Sequence, residues 1–142
     1  MQLLTKESDY AVRALIAIAE MGRRGATAAQ VAEQEGIPWL FLRRLLQRLA
    51  GAGILSSQKG RAGGFFLARR AREITLADVI RVFQGEVELS ECLVRGEPCC
   101  NRPTCPVRKR LKAIEVGLRR DLNRVTIAML VRMKRVELPG RG

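Results

Sequence analysis

Histidine is absent from this chain of 142 residues, and acidic residues are few, 14 against 26 lysines and arginines. Histidine is the most frequent general base and a frequent metal ligand, and the sequence also lacks a glycine-rich nucleotide loop or any acid–base constellation. These absences argue against an enzyme. The formal charge of +12 instead indicates a polyanionic partner, with nucleic acid as the first candidate and an anionic membrane surface as the second.

Long apolar runs are also absent, which argues against the membrane. No run reaches the roughly 18 apolar residues that a spanning helix needs. The apolar stretch "ALIAIA" lies close to Lys6, Glu7, Asp9 and Arg13 and is not followed by a small-residue cleavage site, so it does not resemble a secretory signal. We therefore expect a cytoplasmic protein, in which clustered cysteines more often bind metal or sense redox state than form structural disulfides.

Helix signals follow one another at the N-terminus. Thr5 is a suitable N-cap for a first helix to about Met21, whose buried stripe would consist of Ala11, Ala14, Leu15 and Ile18. Thr27 and Gln30 have the spacing of a capping box and predict a short second helix that ends at Gly36.

A third helix is predicted from Pro38 onward, with an apolar face made of Leu42, Leu45, Leu46 and Leu49. A short helix, a glycine-bearing turn and a helix with arginines on its outer face form the helix-turn-helix arrangement. The alternative for this segment alone is a helical hairpin of a small bundle.

The segment that follows distinguishes these alternatives. It predicts two strands, at 54–58 and 65–68, around a tip in which Gly60, Gly63 and Gly64 permit positive backbone angles. Lys59 and Arg61 would project from this tip. A basic hairpin directly after the third helix is typical of a winged helix-turn-helix, and it shifts the prediction towards DNA binding.

The remaining chain is predicted to be helical apart from one segment. Thr75 and Asp78 cap a short helix to about Gln84, and a final helical segment covers 124–133. Between them lies a near-heptad apolar stripe on a long helix: Val107, Leu111, Ile114, Leu118, Leu122 and Val125. Because such a stripe must be buried, we expect a homodimer.

The predicted architecture is therefore mainly α with a small β-hairpin. It comprises a winged helix-turn-helix domain at 1–84, a cysteine-containing loop at 85–106, and a dimerisation helix with a C-terminal segment at 107–138.

All four cysteines lie in the loop: Cys92, Cys99, Cys100 and Cys105. One interpretation is that the cysteines bind a zinc ion, although structural zinc sites usually use two short C-x-x-C pairs. A second interpretation is a thiol switch, because nearby arginines and lysines would favour reactive thiolates. A third interpretation is an iron–sulfur cluster, because thiolates are suitable ligands for such clusters and positively charged neighbours offset the negative charge of the cluster.

The order of these motifs resembles a known family. "LTKESDYAVRALIAIA", the helix-turn-helix with "SSQKGRAGGFFL", "ITLADVI" and the cysteine loop before a long helix are similar to the Rrf2 family of winged-helix regulators over nearly the whole chain. Cluster-binding members include an iron–sulfur cluster biogenesis regulator and a nitric-oxide-sensing repressor, both with three loop cysteines. The resemblance implies that Cys92, Cys99 and Cys105 are ligands, with Cys100 as an extra thiol or a substitute for Cys99.

The same resemblance implies how the chain meets DNA. Arg43, Arg44 and Gln47 of the third helix and Lys59 and Arg61 of the wing would face a double-stranded, pseudo-palindromic operator.

The residue expected to be the fourth cluster ligand differs from the one in one branch of the family. Arg108 stands where the cluster biogenesis regulator has a histidine, whereas "SDY" resembles the nitric-oxide sensor and implies Asp9 of the partner subunit as ligand. Glu7 and Cys100 are the alternatives. A [2Fe–2S] cluster is favoured and [4Fe–4S] is possible. A cluster-free thiol/disulfide redox switch on the same fold is the alternative function.

Overall fold

The computed structural model describes residues 2–89, 93–94, 97–99, 101 and 103–137. Its helices are α1 (Lys6–Met21), α2 (Ala28–Glu35), α3 (Trp39–Gly51), α4 (Leu76–Gln84), α5 (Pro106–Arg124) and α6 (Ile127–Glu137). Its strands are β1 (Leu55–Gln58), β2 (Gly64–Leu67), β3 (Leu93–Val94) and β4 (Glu97–Pro98). None of the helices in the described ranges has the length and apolar character needed to cross a membrane. The mainly helical fold with a small hairpin is confirmed.

Helices α1, α2 and α4 begin where a threonine side chain accepts a hydrogen bond from an amide of the first turn. The Thr5 hydroxyl accepts a hydrogen bond from the amide of Ser8, and the capping boxes that begin with Thr27 and Thr75 are both complete. Gly36 ends α2 in the left-handed conformation. Pro38 precedes α3 as its N-cap rather than lying in its first turn, which differs from the prediction by one residue.

The wing forms as an antiparallel pair in which Leu55 opposes Leu67 and Gln58 opposes Gly64. Gly60 has a φ of 103°, as its position at the tip requires. Gly63 is needed for a different reason than predicted, because a Cβ atom there would lie 2.4 Å from the carbonyl oxygen of Gln58. The glycines therefore allow the tip to fold back closely on itself.

The main core surrounds α1. Ala11, Ala14, Leu15 and Ile18 are fully buried, as the stripe predicted, and they pack with the buried faces of the other head helices. Ile127 of α6 is also fully buried in this core. The C-terminal helix therefore packs with the winged domain, and we call residues 5–84 together with α6 the head.

The long helix α5 joins the head through only part of its apolar stripe. Leu122 is buried and, with Leu118, packs against Ala77 and Ile80 of α4. By contrast, Val107 and Ile114 are 63% and 58% exposed. The expectation that the whole stripe faces a partner is thus wrong for its C-terminal half, because α4 already covers that part. We call α5 with residues 85–105 the arm.

The cysteine segment contains a short feature that the sequence did not predict. β3 and β4 pair antiparallel, with Leu93 opposite Pro98 and Val94 opposite Glu97. Cys92 and Cys100 lie outside the described residues.

Candidate DNA-binding surface and cysteine site

The outer face of α3 carries the predicted DNA-contacting residues. Arg43, Arg44 and Gln47 are all exposed, because the four leucines at the alternate helical positions turn inward. Neither arginine takes part in the ion pairs formed among the described residues. The two guanidinium groups are thus available to an external acceptor.

Two apolar side chains at the start of α3 extend this surface. Trp39 is 45% exposed and Leu40 is 63% exposed. The guanidinium carbon of Arg43 lies 5.4 Å from the centre of the Trp39 ring, a cation–π distance that orients the arginine. No motif in the sequence singled out this pair, although both residues fall outside the buried leucine stripe. Apolar groups of this kind contact thymine methyls in DNA grooves.

The wing tip presents the other two predicted residues. Lys59 and Arg61 are exposed on either side of Gly60. The wing is also fixed to the segment before α2, since Ala26 and Phe65 exchange backbone hydrogen bonds of 3.0 and 2.7 Å. The tip is therefore held at a defined position relative to the helix-turn-helix.

A third arginine of α3 has a different role. One Nη of Arg48 donates to the carbonyl oxygen of Val82 at 2.9 Å, and the other lies 3.6 Å from a carboxylate oxygen of Glu7. Its guanidinium carbon is 4.5 Å from the centre of the Phe83 ring. Arg48 thus anchors α3 to α4 and to the start of α1.

The end of α4 is in turn anchored to the start of α1. Oε1 of Gln84 accepts hydrogen bonds from the amide of Thr5 at 3.1 Å and the hydroxyl of Ser8 at 2.6 Å. Its Nε2 donates to the carbonyl oxygen of Leu3 at 3.2 Å. Asp9, the predicted ligand on α1, follows this junction and is exposed. The carboxylate is therefore accessible from outside the subunit, as a ligand for a partner's cofactor would have to be.

A buried carboxylate connects α5 to the segment that leads into the cysteine loop. Glu115 is 4% exposed, and its oxygens accept from the amide of Leu89 at 3.2 Å and from Lys112 Nζ at 2.9 Å. Arg119 lies 3.2 Å from the same carboxylate and also donates to the carbonyl oxygen of Val87. The hydrogen bond from Lys112 is the main reason that the pKa of Glu115 is lowered, with the Leu89 amide next.

Two of the predicted cysteines can be placed. Cys99 follows β4 and Cys105 is the N-cap residue of α5; both are free thiols and partly exposed. The amide of Cys105 donates to the carbonyl oxygen of Asn101 at 2.9 Å. Within the described ranges, no three side chains of the kinds that bind metals lie together. The three-cysteine ligand set, which includes Cys92, stays a prediction.

The surroundings of Cys105 suit an anionic group. It is the N-cap residue at the positive end of a helix of 19 residues, and Arg108 follows within the first turn. The Nε atom of Arg108 is fully buried and has no hydrogen-bond acceptor in the part of the chain that the structure describes. Cysteine side chains, a helix N-terminus and a cationic donor without an acceptor among the described residues fit a thiolate-ligated iron–sulfur cluster.

Comparison with known proteins gives one family. The Rrf2 family model, described as "Iron-dependent Transcriptional regulator", matches residues 4–133. The protein aau3 of Rhizobium meliloti is 40% identical over 68% of this chain and 63% of its own length. The transcriptional repressor NsrR of Streptomyces coelicolor is 30% identical over 90% of this chain and 87% of its own.

Solved structures share the fold. The IscR of T. potens superposes with a TM-score of 0.77 at 22% identity, covering 99% of this chain and 94% of that one. The oxidized form of Staphylococcus aureus CymR superposes with a TM-score of 0.70 at 25% identity, covering 92% and 96%.

Proposed function

The chain belongs to the Rrf2 family of transcriptional regulators, as the motif resemblance predicted, and we propose that an iron–sulfur cluster controls its affinity for an operator. The family consists of regulators rather than enzymes. The observation that carries the proposal is Cys105 at the N-terminus of α5, three residues before Arg108, whose buried Nε–H has no acceptor among the described residues. Cys92, Cys99 and Cys105 would hold the cluster, with Asp9 of the partner subunit as the fourth ligand.

DNA binding would use α3 and the wing. Arginine pairs in a bidentate manner with guanine in the major groove, and Arg43 and Arg44 project from α3 without an internal ion pair. Gln47 lies one turn further along and suits adenine. Lys59 and Arg61 at the wing tip would contact phosphate or a narrow minor groove.

A homodimer would present two such surfaces to a pseudo-palindromic operator. The exposed half of the α5 stripe supports this proposal, because Val107 and Ile114 are large apolar residues that the head does not cover. A second copy of α5 would cover them. The exposed position of Asp9 agrees with a ligand supplied across the dimer.

The contacts of the described residues suggest how the loop communicates with DNA. Glu115 holds Leu89, which precedes the cysteine segment, while Gln84 holds the start of α1 and Arg48 joins that region to α3. When bound, the cluster supplies an iron centre that reacts with oxidants or nitric oxide. A ligand set that includes Asp9 would bias this linked set of helices by a coupling free energy of typically about 1–3 kcal/mol.

A cluster-free thiol/disulfide switch is the second candidate. Cys99 and Cys105 are free and partly exposed, which is what a redox-active thiol requires. The fold similarity to a CymR solved in an oxidized form agrees with it equally well.

Anaerobic purification followed by iron and sulfide analysis separates the two candidates. The cluster proposal expects a coloured protein with stoichiometric iron and sulfide, and operator affinity that changes when a chelator removes the iron. A colourless protein whose operator affinity changes only on thiol oxidation would support the switch instead. Identical affinity with and without the cluster would refute cluster control.

A further inference from the structure

One face of α5 is turned towards the cysteine segment. Arg108, Lys112, Glu115 and Arg119 follow at steps of four, three and four residues, so they form a single stripe along the helix. Glu115 accepts from the amide of Leu89 and Arg119 donates to the carbonyl oxygen of Val87. These two contacts show which way the stripe faces, because both are made with residues that precede the cysteines.

Arg108 occupies the end of this stripe nearest the cysteines, three residues after Cys105. Its Nε atom is buried, yet no residue in the described part of the chain accepts a hydrogen bond from it. A buried donor without an acceptor is unfavourable, and folded proteins rarely retain one without a reason.

The carboxylates of α5 do not provide the missing acceptor. Glu115, on the same face, already receives hydrogen bonds from Lys112 and the Leu89 amide and an ion pair from Arg119. The neighbouring positions 109, 110 and 112 are all basic. Among the described residues, neither the carboxylate of Glu115 nor these basic neighbours accept from the Nε–H of Arg108, which lies in the first turn after Cys105.

We propose that Arg108 is a positioning residue for the iron–sulfur cluster, donating its buried Nε–H to a sulfur of the cluster or of a ligating cysteine. A guanidinium is always protonated and has no free lone pair, so Arg108 cannot itself be a ligand. Its charge and hydrogen bond instead stabilise the more negative, reduced state of the cluster and orient the ligating sulfur. This inference rests on the proposed function, since it requires the cluster to be present.

The test uses the full-length protein, reconstituted anaerobically with iron and sulfide. Arg108→Gln removes the charge and the Nε donor, Arg108→Lys keeps the charge without that donor, and Arg110→Gln is the matched control because Arg110 is exposed on the same helix turn. The measurements are the midpoint potential of the cluster and the rate at which a chelator bleaches its absorbance. Circular dichroism of the metal-free forms checks folding.

Arg108→Gln should lower the midpoint potential and accelerate bleaching by about tenfold, the lower end of the range for outer-shell partners of metal ligands. Arg108→Lys should recover part of the potential, and Arg110→Gln should match the wild type. If Arg108→Gln and Arg110→Gln have the same potential and bleaching rate while the wild type holds a cluster, this inference is wrong and the proposed function stands. A wild type that takes up no iron and sulfide refutes both.

Discussion

The head and the arm are held together by different kinds of contact. The head is organised around α1, where Leu15 and Ile18 have no exposed surface, and its helices α2 and α4 begin at complete capping boxes. Among the described residues of the arm, the apolar contact with the head is smaller and is centred on Leu122. Polar bonds join α5 to Val87 and Leu89, which lie between α4 and the cysteines. A cleft of about 570 Å³ opens between the two, lined in part by Leu3, Gln84 and residues 85–89.

This difference assigns the two regions different tasks. A densely packed core resists deformation, so the head can present α3 and the wing in a fixed geometry. An arm whose described residues make few apolar contacts with the head can change its position at low free-energy cost, and segments of low local stability are the ones that move in regulation. We therefore predict that substitutions in the arm alter the binding of the proposed cluster and the dimer, whereas substitutions in the head alter recognition of DNA.

The largest expected effect is complete loss of the proposed cluster from the arm while the head stays intact. Cys105→Ala removes a proposed ligand that lies outside the head's core, so the visible chromophore should disappear while the unfolding temperature of the metal-free protein changes little. Absorbance and calorimetry after anaerobic reconstitution measure the two quantities. Thr104→Ala, at the adjacent exposed position, is the control and should retain the colour. A coloured Cys105→Ala protein would exclude Cys105 as a ligand.

A charge in the exposed half of the α5 stripe should separate the proposed dimer. Burying an isoleucine contributes roughly 1.5–3 kcal/mol, and a glutamate at that position would also be desolvated, so Ile114→Glu should weaken dimerisation by about 100-fold or more. Sedimentation over a concentration series measures this. Val116→Glu is the control, because Val116 is 65% exposed and lies on the opposite side of the helix. Equal behaviour of the two variants would place the dimer interface elsewhere.

Substitutions on α3 or the wing should weaken DNA binding without affecting the proposed cluster. A bidentate arginine–guanine pair is worth about 1–3 kcal/mol, so Arg44→Glu should weaken operator binding by roughly 5- to 150-fold at fixed salt. Arg61→Glu should have a smaller effect together with a reduced salt dependence. Arg132→Glu, on the exposed face of α6, is the matched charge reversal. If it weakens binding as much as Arg44→Glu, the effect is one of net charge rather than recognition.

Sequence alone predicted most of the head because its signals are local. Thr27 with Gln30 and Thr75 with Asp78 formed the expected capping boxes, and the inward stripes of α1 and α3 are buried as their spacing required. Such features depend on residues within one or two helical turns of each other, which a linear pattern contains in full.

The missed features depend on contacts between distant parts of the chain. Hydrogen bonds link Arg48 to Val82 and Leu89 to Glu115. Both pairs are far apart in sequence, so no spacing rule predicts them. The apolar stripe of α5 showed that burial was needed but could not show that α4 covers Leu122 while Ile114 stays exposed. The cluster ligands and the dimer are still predictions for the same reason, because they depend on the convergence of separate segments.

The smallest expected effect is a dependence of the arm on pH. The hydrogen bond from Lys112, then that from the Leu89 amide, lowers the pKa of Glu115 below its ordinary value in the unfolded chain. The carboxylate therefore contributes stability that is fully present above that ordinary pKa, about 4.3, and is lost as the pH falls through the lower pKa of the folded state. Amide exchange of Leu89 in the metal-free protein should accelerate on acidification, after correction for the intrinsic pH dependence of exchange, before the core amides of α1 do. Glu115→Gln should already show this faster exchange near pH 7 and respond less to acid, whereas Glu88→Gln, at the exposed neighbouring position, should behave like the wild type. If Leu89 and the α1 amides lose protection together, the arm and the head unfold as one unit and the division between them fails.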